Sequence, residues 1–430
     1  IIWKFFLGEG ETVISRKAGS KLWAGAGWTG QPLLVREGAD TFLIQGAYDH
    51  NLRKLNAANG MEIWKYSFDD VIKGTGTLWK NPNSSEPDNK IILFQGSRLG
   101  VGNYLDSEHI PSFRAVSYFT GNELWRLDVK WTDSYSRDAD GSGLAIRDTL
   151  YMALENSLLT VINPDPVNAA IKDSMLQPEI ISEVLLYADE DVKAHKKNVV
   201  TESSPALLGN HLYIASGSGH VYGYNMVSGE IDWDFFIGSD LDGSVVVTSD
   251  SCLLVPVEKQ YIKGRGGVFK LDPYKDPDSS AIWYFAVEDT LYEVWEGGVI
   301  GTPGINDMYI SSGDMRLAAI PSLDGFTYII RHDLTDTVKT ITGPDGKTKF
   351  PVPRLIAKLE TGSSISSPAI TGNRLITAGY GGIYLYSYDH SGTFTLLDTF
   401  CSVFEASPVI GGDKVYIASR DGYLYCFGIK

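Results

Sequence analysis

ESSPALLGNHLYIASGSGHVYGYNMVSGEIDWDFF, residues 202–236, decides the fold. In Ala206–Leu208, Leu212–Ser216 and Val221–Asn225, β-branched and aromatic residues recur at period two, the pattern of strands with one buried face. Asn210, the run Ser216–Gly219 and the pair Ser228-Gly229 supply turns between them, and a fourth apolar run is centred on Trp233. The stretch predicts a four-stranded antiparallel meander. A sheet unit of about 35–45 residues that recurs along a chain is the mark of a propeller or solenoid, on the scale of a WD40 repeat.

Measured against this unit, the rest of the chain falls into repeats. Residues 1–7, IIWKFFL, match only the fourth strand, with Trp3 in the place of Trp233. Residues 8–27 are Gly-rich and polar and read as a connection. Gly60 and Trp64, then Gly121 and Trp125, repeat the spacing of Gly229 and Trp233. A long insertion, GSRLGVGNYLDSEHIPS, interrupts the second repeat. Another insert, at about 164–200, follows the third and carries a short helical pattern at ADEDVKAHKKN. A further unit closes on Trp283, and the polar segment TGPDGKTKFP reads as a hairpin-like insert. The last unit stops after three strands, and residues 1–7 supply the fourth.

The expectation is one all-β domain over 1–430, an eight-bladed β-propeller of four-stranded antiparallel blades. The blades are approximately 28–70, 74–132, 139–191, 202–238, 241–289, 298–362, 364–402 and 404–430, with 1–7 as the outer strand of the last. Pairing the first strand with the last three closes a circle and removes exposed sheet edges, which an open solenoid has no need to do. Repetition is required because one such sheet cannot bury both faces alone. Trp3, Trp64, Trp125, Trp233 and Trp283 are expected to pack between adjacent blades.

Composition agrees. The 430 residues are 43% hydrophobic and 12% aromatic, with 45 Gly and 23 Tyr, which suits many short strands and tight turns. No apolar run approaches the roughly 20 residues of a spanning helix. The net charge of −16 argues against a nucleic-acid partner. Cys252, Cys401 and Cys426 lie far apart, exclude a disulfide framework and a structural zinc site, and are expected to be buried and inert. The chain begins at Ile1 inside a strand-like run, so an upstream segment, with peripheral or lipoprotein attachment to a membrane, is expected.

The pattern SSPA, LYIAS, SGHVYGYN, SGEIDW resembles the repeat of pyrroloquinoline-quinone-type β-propellers. In that family small-Ser-Pro opens the inner strand and Gly-x-x-x-Trp closes the blade. Ser204-Pro205, Thr302-Pro303, Ser367-Pro368 and Ser407-Pro408 carry the opening here. The resemblance implies an extracytoplasmic location, either periplasmic, secreted or at the cell surface. It covers quinone-dependent dehydrogenases and non-catalytic scaffolds alike. The dehydrogenases hold the quinone against adjacent cysteines, and this chain has no Cys-Cys pair and no Cys-x-x-Cys-His. The quinone cofactor is therefore not expected.

In such a blade the link to the next blade and the turn between strands two and three share one face, around the channel mouth. The small-Ser-Pro register places Thr29, Thr75, Asp140, Glu202, Asp242, Ile300, Ile365 and Glu405 there. Asp140, Glu202, Asp242 and Glu405 would raise one another's pKa unless a cation or donors neutralise them. RDADGSG and SDLDGS lack the ending of an EF-hand loop. A Ca²⁺ or Mg²⁺ shared by Asp140, Glu202 and Asp242 is one expectation, and hydrogen bonds within each Asp's own turn are the other. The strand-two-to-three turns add Tyr48, Asp49, His50, Arg98, Tyr104, His109, His220, Glu258, Lys259, Tyr261, Arg265, Arg420 and Asp421. Such a face suits a protein or carbohydrate ligand. The leading expectation is a non-catalytic binding or scaffold propeller of an extracytoplasmic assembly. The alternative is an enzyme on the same face, either a lyase or hydrolase on an acidic polysaccharide, with His50, His109, Arg98 and Tyr104 as catalytic candidates, or a divergent quinoprotein dehydrogenase. No nucleophile elbow or phosphate loop is present.

Overall fold

The structure, a computed structural model, describes residues 1–311 and 313–428. It contains eight four-stranded antiparallel sheets, each an up-and-down meander, and two small two-stranded sheets. The fold is an eight-bladed β-propeller. No helix among the described residues is long and apolar enough to cross a membrane.

The chain divides into two compact units. The first comprises Ile1–Leu186, Val200–Ser204 and the chain from Val409 on. It holds the blades whose first strands are Leu33–Glu37, Thr77–Lys80 and Leu144–Ile146, together with the split blade. In the split blade Trp3–Phe6 pairs antiparallel with Tyr423–Gly428, Trp3 opposite Cys426 and Phe6 opposite Tyr423. The second unit, Tyr187–Val199 and Pro205–Pro408, holds the four remaining blades. Their first strands are Ala206–Leu208, Val246–Val247, Gly304–Ile305 and Ala369–Ile370.

Apolar side chains of neighbouring blades interlock into the core of each unit. In the first, Phe94, Phe113 and Trp125 of one blade pack with Leu150, Met152 and Ile162 of the next. In the second, Tyr213 and Trp233 pack with Val255, Phe269 and Tyr284. The closing tryptophans follow one rule. Trp3 donates its indole N–H to the Ala57 carbonyl (3.2 Å), Trp64 to Tyr118 (2.9 Å) and Trp125 to Pro164 (3.2 Å). Within the second unit Trp233 donates to Lys275 (3.0 Å) and Trp283 to His332 (3.2 Å). Trp64, Trp125, Trp233 and Trp283 thus bury their rings, and Trp3 partly so, while each indole's one polar atom is satisfied.

At Gly60 and Gly121 the glycine of Gly-x-x-x-Trp receives the tryptophan of the preceding blade, whereas Gly229 meets only Tyr224 Oη at 3.8 Å. Gly121 has φ +77°, and a Cβ there would stand 2.9 Å from the Trp64 ring; Gly60 meets Trp3 in the same way at 2.8 Å. Gly209, at φ +61°, has nothing within 4 Å of such a Cβ. Both Gly→Ala variants bear the left-handed strain of about 1 kcal/mol. Gly121→Ala is expected to lower the melting temperature further than Gly209→Ala, and thermal denaturation of the pair measures the docking contact alone.

Four details differ from the sequence expectation. Residues 8–27 are not a bare connection, since Glu9–Ser15 and Gly19–Ala24 form a hairpin. The insert at 164–200 contains the closing strand of its own blade, Glu179–Leu185, besides a small hairpin at Ala170–Lys172 and Met175–Gln177. The expected helix is Asp189–Ala194. Phe326–Thr342 and Lys349–Glu360 run on beyond their blade as one bulged arm that contains the TGPDGKTKFP turn. Cys401, expected to be buried, is exposed in the link after Phe394–Phe400, while Cys252 and Cys426 are buried.

Candidate functional site, an aromatic cleft floored by carboxylates

In the first unit the departures from the four-stranded repeat gather round one cleft of about 680 Å³. The hairpin contributes Val13–Arg16 and Trp23. The long loop after Ile91–Gly96 contributes Arg98 and Asn103–Asp106. The link after Glu123–Leu127 contributes Trp131, Tyr135, Ser136 and Asp138. Trp28, Lys73, Glu155 and Glu202 line it from the links and turns of the blades.

The hairpin is held by backbone proximity. His50 Nε2 donates to the Glu11 carbonyl at 2.8 Å, and a Cβ on Gly10 would collide with the Tyr48 carbonyl and the His50 ring. Arg98 ties hairpin, loop and link together. Its Nη1 donates to Thr12 Oγ1 (2.7 Å) and the Val13 carbonyl (2.8 Å), and its Nε to Asp138 Oδ2 (2.7 Å). Burial opposes the Arg98 charge, but the Asp138 carboxylate outweighs it and raises its pKa further.

The buried ammonium of Lys73 organises the floor. It forms an ion pair with Asp140, lies 3.9 Å from Glu155 Oε1, and stands 5.0 Å from the centre of the Trp28 ring. Trp28 Nε1 donates to Glu202 Oε2 at 2.7 Å, and Ser136 Oγ donates to Glu155 Oε2 at 2.5 Å. Asp140, Glu155 and Glu202 each offer an oxygen within 4.8 Å of the others. Burial works against the charge of Lys73, but Asp140, Glu155 and Glu202 outweigh it, so its pKa stands well above the usual lysine value. Burial and the Asp140 charge push Glu155 well above the carboxylate range, with Lys73 opposing. The floor therefore sets one ammonium among three carboxyl groups, and the Glu155 carboxyl holds its proton more tightly than a free carboxyl does.

A pH effect follows with a definite sign. Glu155 binds its proton more tightly folded than unfolded, so its share of stability is complete below pH 4.5 and is lost as pH rises toward the raised folded value. Glu155→Gln keeps the shape of the carboxyl without its titration and removes this loss. Urea midpoints followed upward from pH 4.5 are expected to fall less steeply in Glu155→Gln than in the wild type.

The remaining sequence candidates are placed as follows. Tyr104 lines the cleft with Arg98, and the Arg16 guanidinium lies 4.7 Å above its ring. His50 and His109, expected to act together, do not line it. His50 lies beneath the hairpin, and His109 Nδ1 meets Asp128 Oδ2 at 2.7 Å. Tyr48 is 1% exposed, and Asp49 is paired with Arg53 (2.8 Å) and Asn51 (2.7 Å), so neither presents itself to a ligand. Arg420 lies over the Trp23 and Tyr48 rings and donates to the Ala24 carbonyl at 3.3 Å.

In the second unit, Asp242 groups with Asp240 and Glu258, their oxygens within 4.8 Å of one another. Of the carboxylates grouped by register, Asp140 and Glu202 lie with Glu155 in the first unit, and Asp242 lies with Asp240 and Glu258 in the second. In the second set Asn198 Nδ2 donates to Asp240 Oδ2 (2.5 Å) and Gln260 Oε1 (3.2 Å). All-oxygen donors of this kind could hold a hard cation such as Ca²⁺; in the first set Lys73 already supplies the countercharge. Glu405 accepts from Tyr380 Oη at 3.1 Å. His220 Nδ1 meets Asp234 at 2.7 Å and its ring stacks on Tyr222. Lys259 donates to the carbonyls of its own loop, at Ile262 and Gly264. Tyr261 stacks on His195 with ring centres 4.5 Å apart.

Sequence reasoning missed Lys73, Glu155, Trp28, Trp131 and Tyr135. Glu155 had a signal, since it occupies the strand-two-to-three turn of its blade as Glu258 does in another. Lys73 stands two residues before the register position Thr75.

No protein-family model and no curated protein matches this sequence. Among solved structures, the chain is similar to BamB from Moraxella catarrhalis, at 13% identity and a TM-score of 0.50, over 86% of this chain and 84% of that one. It is also similar to the computationally designed Ika8 protein, at 12% identity and a TM-score of 0.56, over 94% of this chain and 98% of that one. At such identities the likeness is one of fold, and by fold this chain is a β-propeller of eight four-stranded blades, similar to BamB.

Proposed function

We propose that the protein is a non-catalytic binding propeller of an extracytoplasmic assembly and that the aromatic cleft is where it takes its ligand. One observation carries this reading. The hairpin at 9–24, the long loop after Gly96 and the link after Leu127 all depart from the repeat, and all three wall the same cleft. Loops raised on a rigid sheet scaffold are the usual place for binding groups. The charged side chains here are already matched, Arg16 with Asp106, Arg98 with Asp138 and Lys73 with Asp140. Such pairing favours holding a ligand over attacking one. The extracytoplasmic location is supported by the resemblance to quinoprotein-type repeats, and cell fractionation tests it.

Trp23, Trp28 and Trp131 make the test optical. Peptide and oligosaccharide panels are titrated against the whole chain while tryptophan emission is followed. A saturable change that is lost in Trp131→Ala supports the cleft. Saturable binding that survives Trp131→Ala contradicts it.

A specific observation favours a second reading, an enzyme. A Glu155 carboxyl that holds its proton tightly, with oxygens of Asp140 and Glu202 within 4.8 Å, has the makings of a general acid. Turnover of a bound ligand that Glu155→Gln abolishes would establish that reading; binding without turnover in both forms supports the scaffold.

A further inference from the structure

We propose that the cleft is a groove for an extended, uncharged oligosaccharide, whose sugar rings stack on Trp131 and Tyr135 and whose hydroxyls reach Glu155. This rests on the reading of the cleft as the binding site and names the chemistry of its ligand.

The groove is longer than one hollow. A second hollow of about 690 Å³ lies against the first, and Trp131 and Asp106 line both. The Trp131 indole is therefore a shared wall, and a chain-like ligand would pass it. Each hollow alone is in the range of about 300–1,000 Å³ typical of small-ligand sites. Trp131 is 52% exposed and Tyr135 51%, although both are large rings that folding ordinarily covers. Flat, open aromatic faces suit the C–H-rich face of a sugar ring.

The floor asks for hydroxyl groups. Glu155 is 2% exposed and lines the cleft, and while its Oε2 accepts from Ser136, its Oε1 has no hydrogen-bond partner and only the Lys73 ammonium, at 3.9 Å, beside it. A buried polar atom left unpaired costs about 1–3 kcal/mol, so a ligand that pairs it is favoured. A sugar hydroxyl both donates and accepts and can pair with a carboxyl in either protonation state.

Charge selects against ionic ligands. Arg16, Arg98 and Lys73 are matched in the first hollow, and in the second Lys130 pairs with Glu183 and Arg137 lies 3.7 Å from Asp128. An acidic sugar would have to break such a pair or rely on Lys172 alone, in a hollow that Asp106, Glu108 and Asp128 also line. A peptide is the competing ligand, and the panel run beside the sugars separates the two.

The test is a glycan array of neutral and acidic sugars, followed by calorimetry of the whole chain with its best neutral hits at increasing length. A peptide panel runs beside it. Neutral oligosaccharides are expected to bind, more tightly as length grows from two to several rings. Trp131→Ala should weaken them by about tenfold or more with the melting temperature unchanged. Glu155→Ala should weaken them, and Glu155→Gln, which keeps the hydrogen-bonding capacity, should restore most of the affinity. Binding of acidic sugars or peptides alone, lost in Trp131→Ala, overturns the saccharide proposal and leaves the binding-site reading standing. No ligand of any class overturns both. Neutral sugar that is bound and cleaved supports the saccharide and overturns the non-catalytic reading.

Discussion

Lys73→Met is expected to be among the most damaging single substitutions in the protein, at about 3–5 kcal/mol, the usual penalty for breaking a buried ion pair from one side. Methionine fills the space of the lysine stem but brings no charge. Asp140, Glu155 and Glu202 would then share a buried floor with no cation among them. The damage should be relieved when the excess negative charge is also removed. Lys73→Met with Asp140→Asn is expected to recover a large part of the loss, and Asp140→Asn alone to cost less than Lys73→Met. The double-mutant cycle, read from urea midpoints, isolates the pair. Midpoints for Lys73→Met within about 0.5 kcal/mol of wild type would mean that Lys73 does not hold the floor.

Trp125→Ala is the second large effect, expected at about 3–5 kcal/mol. Trp125 is fully buried, stacks on Phe94 with ring centres 5.5 Å apart, and gives its N–H to Pro164 of the next blade. Its removal leaves a cavity between blades and an unpaired carbonyl. Trp131→Ala is the control, because half of Trp131 already lies in water. Denaturant midpoints should fall sharply for Trp125→Ala and little for Trp131→Ala. Equal losses would show that the distinction between the packing and the cleft tryptophans is wrong.

The blades were legible because their signals are local. Turn residues, period-two strands and the Gly-x-x-x-Trp spacing all act within one meander, and the glycine is required where the preceding indole lies on its backbone. Three strands escaped for the matching reason. Glu9–Ser15 and Gly19–Ala24 carry too few apolar residues to show a period, because much of the hairpin is exposed. Glu179–Leu185 ends its blade without a tryptophan. The site was legible only in part. The register found Asp140 and Glu202, but one residue per blade could not show that Lys73, from a different link, supplies their countercharge. His50 and His109 drew attention by residue type, whereas the structure gives each a partner away from the cleft. Trp131 and Tyr135 lie in a link without strand periodicity, and only the fold brings them to the cleft.

The central claim is that this cleft is where the propeller holds its ligand. A crystal structure of the whole chain soaked with its tightest-binding neutral oligosaccharide tests it most directly. Sugar density is expected in the cleft, one ring lying flat on Trp131 and one hydroxyl directed at the Glu155 carboxyl. Sugar bound at any other surface, with the Trp131 indole left bare, would contradict it.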